Sequence, residues 1–158
     1  MKTKVAIDSD IFFFCFQSDR DDIKPDNMRR LLKHMRAAPN VSPFIPFSVL
    51  SESVIECLRG KDHDLHELHE LIDLWAELGF SFLYPSPLVA EACYKLVEKH
   101  KKGNQIDHRL SDTDLVHLGY ALAYNMDFFV STDTKLQYYI PEKSKLQVID
   151  HEEAKKLF

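Results

Sequence analysis

Four carboxylates in this chain are spaced so that one folded unit can gather them: Asp8, Glu52, Asp114 and Asp133. Asp8 follows the apolar run Val5-Ala6-Ile7, and Asp133 lies three residues beyond Val130. Each acid has an ordinary structural explanation. Ser111-x-x-Asp114 has the form of a capping box with Asp in place of Glu. Glu52 suits the positive end of a helix, and Asp133 and Asp10 suit N-caps. Gathered at one corner, however, carboxylates repel one another unless a cation compensates them. An all-oxygen donor set selects Mg²⁺ or Mn²⁺ over zinc. One or two such ions can activate a water and neutralise charge on a phosphodiester in the transition state, with no serine or cysteine nucleophile. Asp10, Asp112 and Ser131 adjoin these acids and are expected accessory groups of the same site.

The acids converge only if the intervening elements alternate between strand and helix, and the apolar pattern supports that. Val5-Ala6-Ile7, bounded by polar residues, suits a buried parallel strand. A helix is expected from about Ile11, then a charged loop over 18–25. Pro25-Asp26-Asn27 opens a helix with Met28, Leu31, Leu32 and Met35 at helical spacing. A break over 39–43 precedes a strand over 44–47, placed near an edge or at a strand end by Pro46. A helix over 48–58 stops at Gly60. The next helix, over 62–78, is expected to face the core with Leu65, Leu68, Ile72 and Trp75. A strand over 80–84 and a helix from Pro87 to about Lys102 follow, the latter with Val89, Cys93, Leu96 and Val97 inward. Ser111 begins a helix with Leu115, Leu118 and Leu122 on one face. A turn over 125–127, a strand over 128–130, a short helix from Asp133 and a last strand over 146–149 complete the chain. This alternation predicts an α/β protein with a mainly parallel sheet between two helical layers. Ligands of such sheets sit outside the carboxyl ends of the strands, where the candidate acids fall.

With 158 residues, 45% of them hydrophobic and 28% charged, the chain suits a single globular domain spanning 1–158. A net charge of -5 argues against a surface broadly coated for non-specific nucleic-acid binding, but leaves nucleic acid open as a substrate. Cys15, Cys57 and Cys93 form no C-x-x-C pair, which excludes a zinc ribbon or a thioredoxin motif and fits reduced, mostly buried thiols in the cytoplasm. The apolar stretch Ile11 to Phe16 is far short of the about 20 residues that span a membrane, and no signal peptide is expected. Neither G-x-G-x-x-G nor a Walker loop is present among only four glycines.

Four segments in order carry a family resemblance. They are Val5-Ala6-Ile7-Asp8-Ser9-Asp10, Pro46-Phe47-Ser48-Val49-Leu50-Ser51-Glu52, the run S-D-T-D-L-V-H-L-G-Y-A-L-A from Ser111 to Ala123, and F-F-V-S-T-D from Phe128 to Asp133. Over nearly its whole length the chain resembles the PIN-domain nucleases, in particular the VapC-like ribonucleases. The resemblance implies a three-layer α/β/α sandwich, a divalent-metal site and RNA cleavage. It also makes Asp8, Glu52, Asp114 and Asp133 the catalytic acids and metal ligands. Ser131 stands where the family usually has threonine, and Asp10 where asparagine, serine or threonine is common. The charged segment 19–26 has no counterpart in the motifs. Many family members are toxins paired with an antitoxin protein, so an antitoxin and a homodimer are partners to look for.

Two basic clusters could hold an RNA backbone through phosphate contacts. Arg29, Arg30, Lys33 and Arg36 lie on the second helix. Lys95, Lys99, Lys101, Lys102, His108 and Arg109 lie in sequence beside the Asp114 helix, and Lys99, Lys102 and Arg109 are the expected substrate contacts. A solvated helix face explains either cluster as well. Phe13 and Phe14 suit the core better than base stacking, with Tyr120 a further stacking candidate. His63, His66 and His69 recur every third residue, a step that drifts round a helix and so suits a solvated face better than a metal site. His117, one turn from Asp114, is expected to be packed and hydrogen-bonded within reach of the acids. Two other functions fit part of the pattern. A non-catalytic PIN-like module could bind RNA or protein. A haloacid dehalogenase-type phosphatase would use Asp8-x-Asp10, but Ser131-Thr132-Asp133 does not supply its later acidic motif.

Overall fold

The computed structural model describes residues 2–16, 20–59, 65–102 and 111–158. Among the described residues, five strands form one parallel sheet: β1 (Thr3–Ile7), β2 (Val41–Pro46), β3 (Ser81–Leu83), β4 (Phe128–Val130) and β5 (Gln147–Ile149), in the order β3-β2-β1-β4-β5. β1 is central, pairing Val5 with Pro43 on one side and with Phe128 on the other. The chain runs outward from β1 through β2 to β3, then returns to lay β4 and β5 on the opposite flank. The order therefore reverses between β1 and β4, and in such sheets ligands bind beyond the carboxyl ends at this switch point.

Side-chain alternation splits the sheet between two cores. Val5, Ile7, Val130 and Ile149 point into one, with α1 (Ser9–Phe13), α2 (Pro25–Ala37), α4 (Leu65–Leu78) and α7 (His151–Leu157). Ala6, Phe129 and Val148 point into the other, with α5 (Pro87–Lys102), α6 (Asp112–Ala123) and the 3-10 helix Thr134–Tyr139. α3 (Phe47–Arg59) contributes Val49 and Cys57 to the first core. The result is the three-layer α/β/α sandwich expected from the alternating pattern.

Several local expectations change. β2 begins at Val41, so Pro43 lies inside an interior strand, while Pro46 does end it. Phe47 belongs to α3, which places Glu52 in that helix's second turn. On α4 the buried residues are Leu71, Leu74 and Leu78, with Leu68 and Trp75 packed against the core, whereas Ile72 is exposed. Leu65's side chain lies outside the described residues. α7 was absent from the sequence expectation. Asp150 accepts from the Glu153 N–H at 2.8 Å and Glu153 accepts from the Asp150 N–H at 3.1 Å, a reciprocal cap that starts the helix. Within the charged segment 19–26, Arg20 pairs with Asp22 at 2.6 Å, Ile23 is buried and Pro25 begins α2; residue 19 lies outside the described residues. All three cysteines are free thiols, two buried and Cys93 half-buried. Among the described residues no helix is long and apolar enough to cross a membrane.

Candidate active site

β1 and β4 deliver their following residues to the same end of the sheet. The Asp8 N–H donates to the Val130 carbonyl at 3.0 Å, carrying the pairing one residue beyond β1. Asp8 then turns the chain into α1, its Oδ1 accepting the Ser9 N–H at 2.8 Å. Asp10, in the first turn, reaches across to the segment after β4. Its Oδ2 accepts the Thr132 N–H at 2.8 Å, the Ser131 hydroxyl at 3.4 Å and the Thr132 hydroxyl. Among the described residues its Oδ1 is buried without a hydrogen-bond partner. Ser131 is fully buried, and its Oγ also accepts the Asp133 N–H at 3.1 Å. Asp133 caps the 3-10 helix by accepting the Lys135 N–H at 3.0 Å, so its N-cap role is real. Asp114 enters from α6, where the Ser111 hydroxyl accepts the Asp114 N–H at 3.1 Å.

The electrostatics of this corner follow from burial and crowding. Asp8 is only 3% exposed. Desolvation first, then the Asp10 carboxylate, push its pKa well above the aspartate range, and Asp114 adds to the rise. Burial likewise raises Asp10, against the opposing hydrogen bonds from Thr132. Asp10 and Asp114 thus lie close enough to disfavour ionisation of Asp8, and Asp114 close enough to disfavour that of Asp10. Glu52 behaves oppositely. A hydrogen bond from His117 is the main reason that its pKa falls to about 2, aided by the Ser9 and Thr113 hydroxyls. His117 is completely buried on α6, with Nε2 2.7 Å from Glu52 Oε2 and 3.9 Å from Asp8 Oδ1, and Nδ1 2.7 Å from Ser48 Oγ.

Beside the acids lies a groove of about 500 Å3 between α3 and α6. Phe47, Ile55, Val116 and Tyr120 give it apolar walls; Glu52, Asp112 and Thr113 also line it. Tyr120, the stacking candidate, is almost buried and belongs to a core as well as to this wall. Phe13 and Phe14 are half-buried, the latter against the core.

The donor set is all oxygen and suits a hard divalent cation. The unpartnered Oδ1 of Asp10 and the mutual repulsion of Asp8, Asp10 and Asp114 are what such a cation would relieve. Among the described residues, no three His, Cys, Asp or Glu side chains already stand as a ligating group. The acids would therefore have to close by rotamer changes.

A profile of the PIN domain matches residues 5–140. This chain belongs to the PIN-domain family. The PIN fold here is similar to that of a chain in VapBC2 from Rickettsia felis bound to a DNA fragment from their promoter. That match has 15% identity and a TM-score of 0.72, and covers 94% of this chain and 98% of that one. It is also similar to a chain in VapBC-1 from nontypeable Haemophilus influenzae (15% identity, TM-score 0.69, 95% and 99% covered). A third is in FitAcB from Neisseria gonorrhoeae (13% identity, TM-score 0.62, 94% and 98% covered). At such identities the likeness is one of fold. A search of curated proteins found no match. PIN membership sets aside the phosphatase alternative.

Of the predicted site residues, the PIN fold brings Asp8, Asp10, Asp114 and Ser131 within electrostatic or hydrogen-bonding range, and His117 ties Glu52 to the edge of the same cluster. Asp112 is exposed on the groove wall. Of the basic clusters, the described side chains of Arg29, Lys33, Arg36 and Lys95 are engaged elsewhere. Arg29 Nε donates to the Cys15 carbonyl at 2.7 Å and the guanidinium lies over Phe16. Arg36 donates to the last carbonyls of α4, and Lys33 pairs with Glu77 at 2.8 Å. Lys95 pairs with Glu91 at 2.7 Å. Arg109, His108 and the side chains of Lys99, Lys101 and Lys102 lie outside the described residues, as does His63; His66 and His69 are exposed. Sequence reasoning missed the roles of Ser9, Ser48 and Thr132, short hydroxyl residues without a distinguishing pattern. Thr132 and Ser9 adjoin the acids, which was the available signal.

Proposed function

We propose that this chain is a divalent-metal-dependent endoribonuclease: a single PIN domain over 1–158 that hydrolyses RNA phosphodiester bonds in the cytoplasm. The observation that carries the reading is the crowding of Asp8, Asp10 and Asp114 beyond β1 and β4, with the Asp10 Oδ1 buried and unpartnered. Asp8, Glu52, Asp114 and Asp133 would hold the ion, with Asp10 and Ser131 beside them. Mg²⁺ or Mn²⁺ bound there supplies Lewis acidity toward a phosphoryl oxygen and makes a water more acidic. The protein's own part is positional. Ser9 orients Asp8, Ser131 and Thr132 orient Asp10, and His117 keeps Glu52 ionised and aimed. Lys99 and Lys102, in the last turn of α5, and Arg109, beyond it, lead toward the Asp114 helix in sequence and would hold the RNA backbone.

The family resemblance extends the reading to a toxin held by an antitoxin protein. The groove beside Glu52 has apolar walls and is rimmed by Glu52 and Asp112, with Glu56 paired to Arg59 at 2.9 Å on the same rim; the two remaining acids suit a partner segment carrying apolar and basic side chains. A homodimer is a second partner to test. Cleavage of labelled single-stranded RNA by the purified chain with Mn²⁺ or Mg²⁺ tests the function, with EDTA and Asp114→Asn as controls. Metal-dependent cutting lost in both controls is the expected result. A folded protein that binds Mn²⁺ yet cuts no RNA in a broad panel would instead be a binding module.

A further inference from the structure

His117 sits where a merely structural histidine gains little. It is fully buried on α6, three residues after Asp114 and on the same face of the helix. Ser48 and Glu52 lie four residues apart on one face of α3, and the imidazole bridges them. An ionised carboxylate offers no hydrogen, so Nε2 must donate to Glu52 Oε2. The Ser48 hydroxyl, able to donate or accept, completes Nδ1 at 2.7 Å. Tying α3 to α6 does not require this arrangement, because apolar residues of similar volume would fill the space without burying a ring that needs two polar partners. The tie also ends on a carboxylate whose side chain is 21% exposed on the groove wall, with Nε2 3.9 Å from Asp8.

We infer that His117 is a positioning residue for Glu52: aimed by Ser48, its Nε2–H claims Oε2 and fixes the carboxylate, which the Ser9 and Thr113 hydroxyls also approach, so that its other oxygen is presented to the cation. This rests on the metal-dependent nuclease reading above. Ligand-orienting partners of this kind typically change metal affinity by roughly 10–100-fold when removed.

The test compares wild type, His117→Asn and His117→Gln by Mn²⁺ titration, followed by calorimetry or electron paramagnetic resonance, and by kcat and KM for RNA. Asparagine mimics Nδ1 but falls short of Glu52; glutamine returns an amide N–H near the Nε2 position. The Mn²⁺ Kd should rise about tenfold in His117→Asn, kcat should fall more than KM changes, and His117→Gln should restore most of both. Unchanged Mn²⁺ affinity in His117→Asn, or equal loss in the two variants, would overturn the proposal. If His117→Asn does not fold, Ser48→Ala, which releases Nδ1 alone, should still weaken Mn²⁺ binding severalfold, and wild-type affinity there would overturn it. A metal-free measurement separates this from the nuclease reading. The ¹⁵N resonances of the His117 ring should place a hydrogen on Nε2, and Glu52→Gln should shift that signal; an unmoved signal counts against the proposal. A wild-type protein that shows the coupled ring signal but neither binds Mn²⁺ nor cuts RNA would overturn the nuclease reading and, with it, the cation's share of this one, while leaving the His117–Glu52 coupling in place.

Discussion

Asp8 stands in the folded chain at an energetic cost. It is buried, and both burial and Asp10 raise its pKa. A carboxyl whose folded pKa exceeds its unfolded value of 3.8 binds more protons when folded, so its contribution to stability declines as pH rises from that value through the folded pKa. Asp8→Asn removes the charge and keeps an oxygen for the Ser9 N–H. The metal-free variant should melt about 2–4 °C above wild type near neutral pH, as about 1 kcal/mol predicts for a chain of this size, with the gap closing at low pH and cleavage abolished. Thermal melts across pH 3 to 8 check this, and a lower melting point at pH 7 would refute the account. Glu52 has the opposite sign. Its pKa is lowered from 4.5 to about 2, so its stabilisation is complete above 4.5 and disappears as pH falls through about 2. Any destabilisation by Glu52→Gln should therefore shrink across that window; a constant difference from pH 7 to 2 would mean that the His117 contact is not an ionic one.

At the scale of elements, the α5–α6 packing depends on Gly119. A Cβ added there would stand 2.2 Å from Cys93 Sγ and 3.5 Å from the Val89 carbonyl. Gly119→Ala should cost about 1–3 kcal/mol through overpacking, and Cys93→Ala in the same chain should return a large part of it because the obstructing atom is a side-chain sulfur. Denaturant melts of the two singles and the double settle this; additive losses would place the strain in the backbone instead. The elements also show what could be read in the sequence. β1 and β4 were legible because each is a short apolar run ending at a polar residue, and they placed Asp8 and the segment leading to Asp133 correctly at the strand ends. Pro43 misled because its missing N–H suggests a break, yet it pairs inside β2. On α4, Leu71 and Leu74 compete with Leu68, Ile72 and Trp75 for the same helical period, and only the docking angle against α2 and α3 decides which stripe is buried. α7 is seven residues long with little apolar periodicity, but Asp150-x-x-Glu153 was a usable start signal. His117 could be seen as near the acids, whereas its link to Glu52 and Ser48 depends on how α3 and α6 cross, which no local pattern encodes.

For the whole molecule, the crowded carboxylates make the folded state a conditional one. Unfolding disperses Asp8, Asp10 and Asp114 into water, so an ion that requires all of them together binds the folded chain alone and stabilises it by mass action. With Mn²⁺ at about 100 times its Kd the gain is about 2.7 kcal/mol, or roughly 5–10 °C in melting temperature for a chain of this size. Protons compete for the same oxygens. Since burial raises the pKa of both Asp8 and Asp10, the Mn²⁺-induced shift should be larger at pH 8 than at pH 5.5. EDTA should erase it, and Asp8→Asn, stable without the ion, should gain little from it. The same net charge of -5 that argued against broad RNA coating makes weak, non-specific stabilisation by any divalent cation a real competitor. Mn²⁺ at low concentration against Ca²⁺ at equal ionic strength separates the two. Equal shifts with both ions, retained in Asp8→Asn, would mean that the surface charge binds them and that this acidic corner does not.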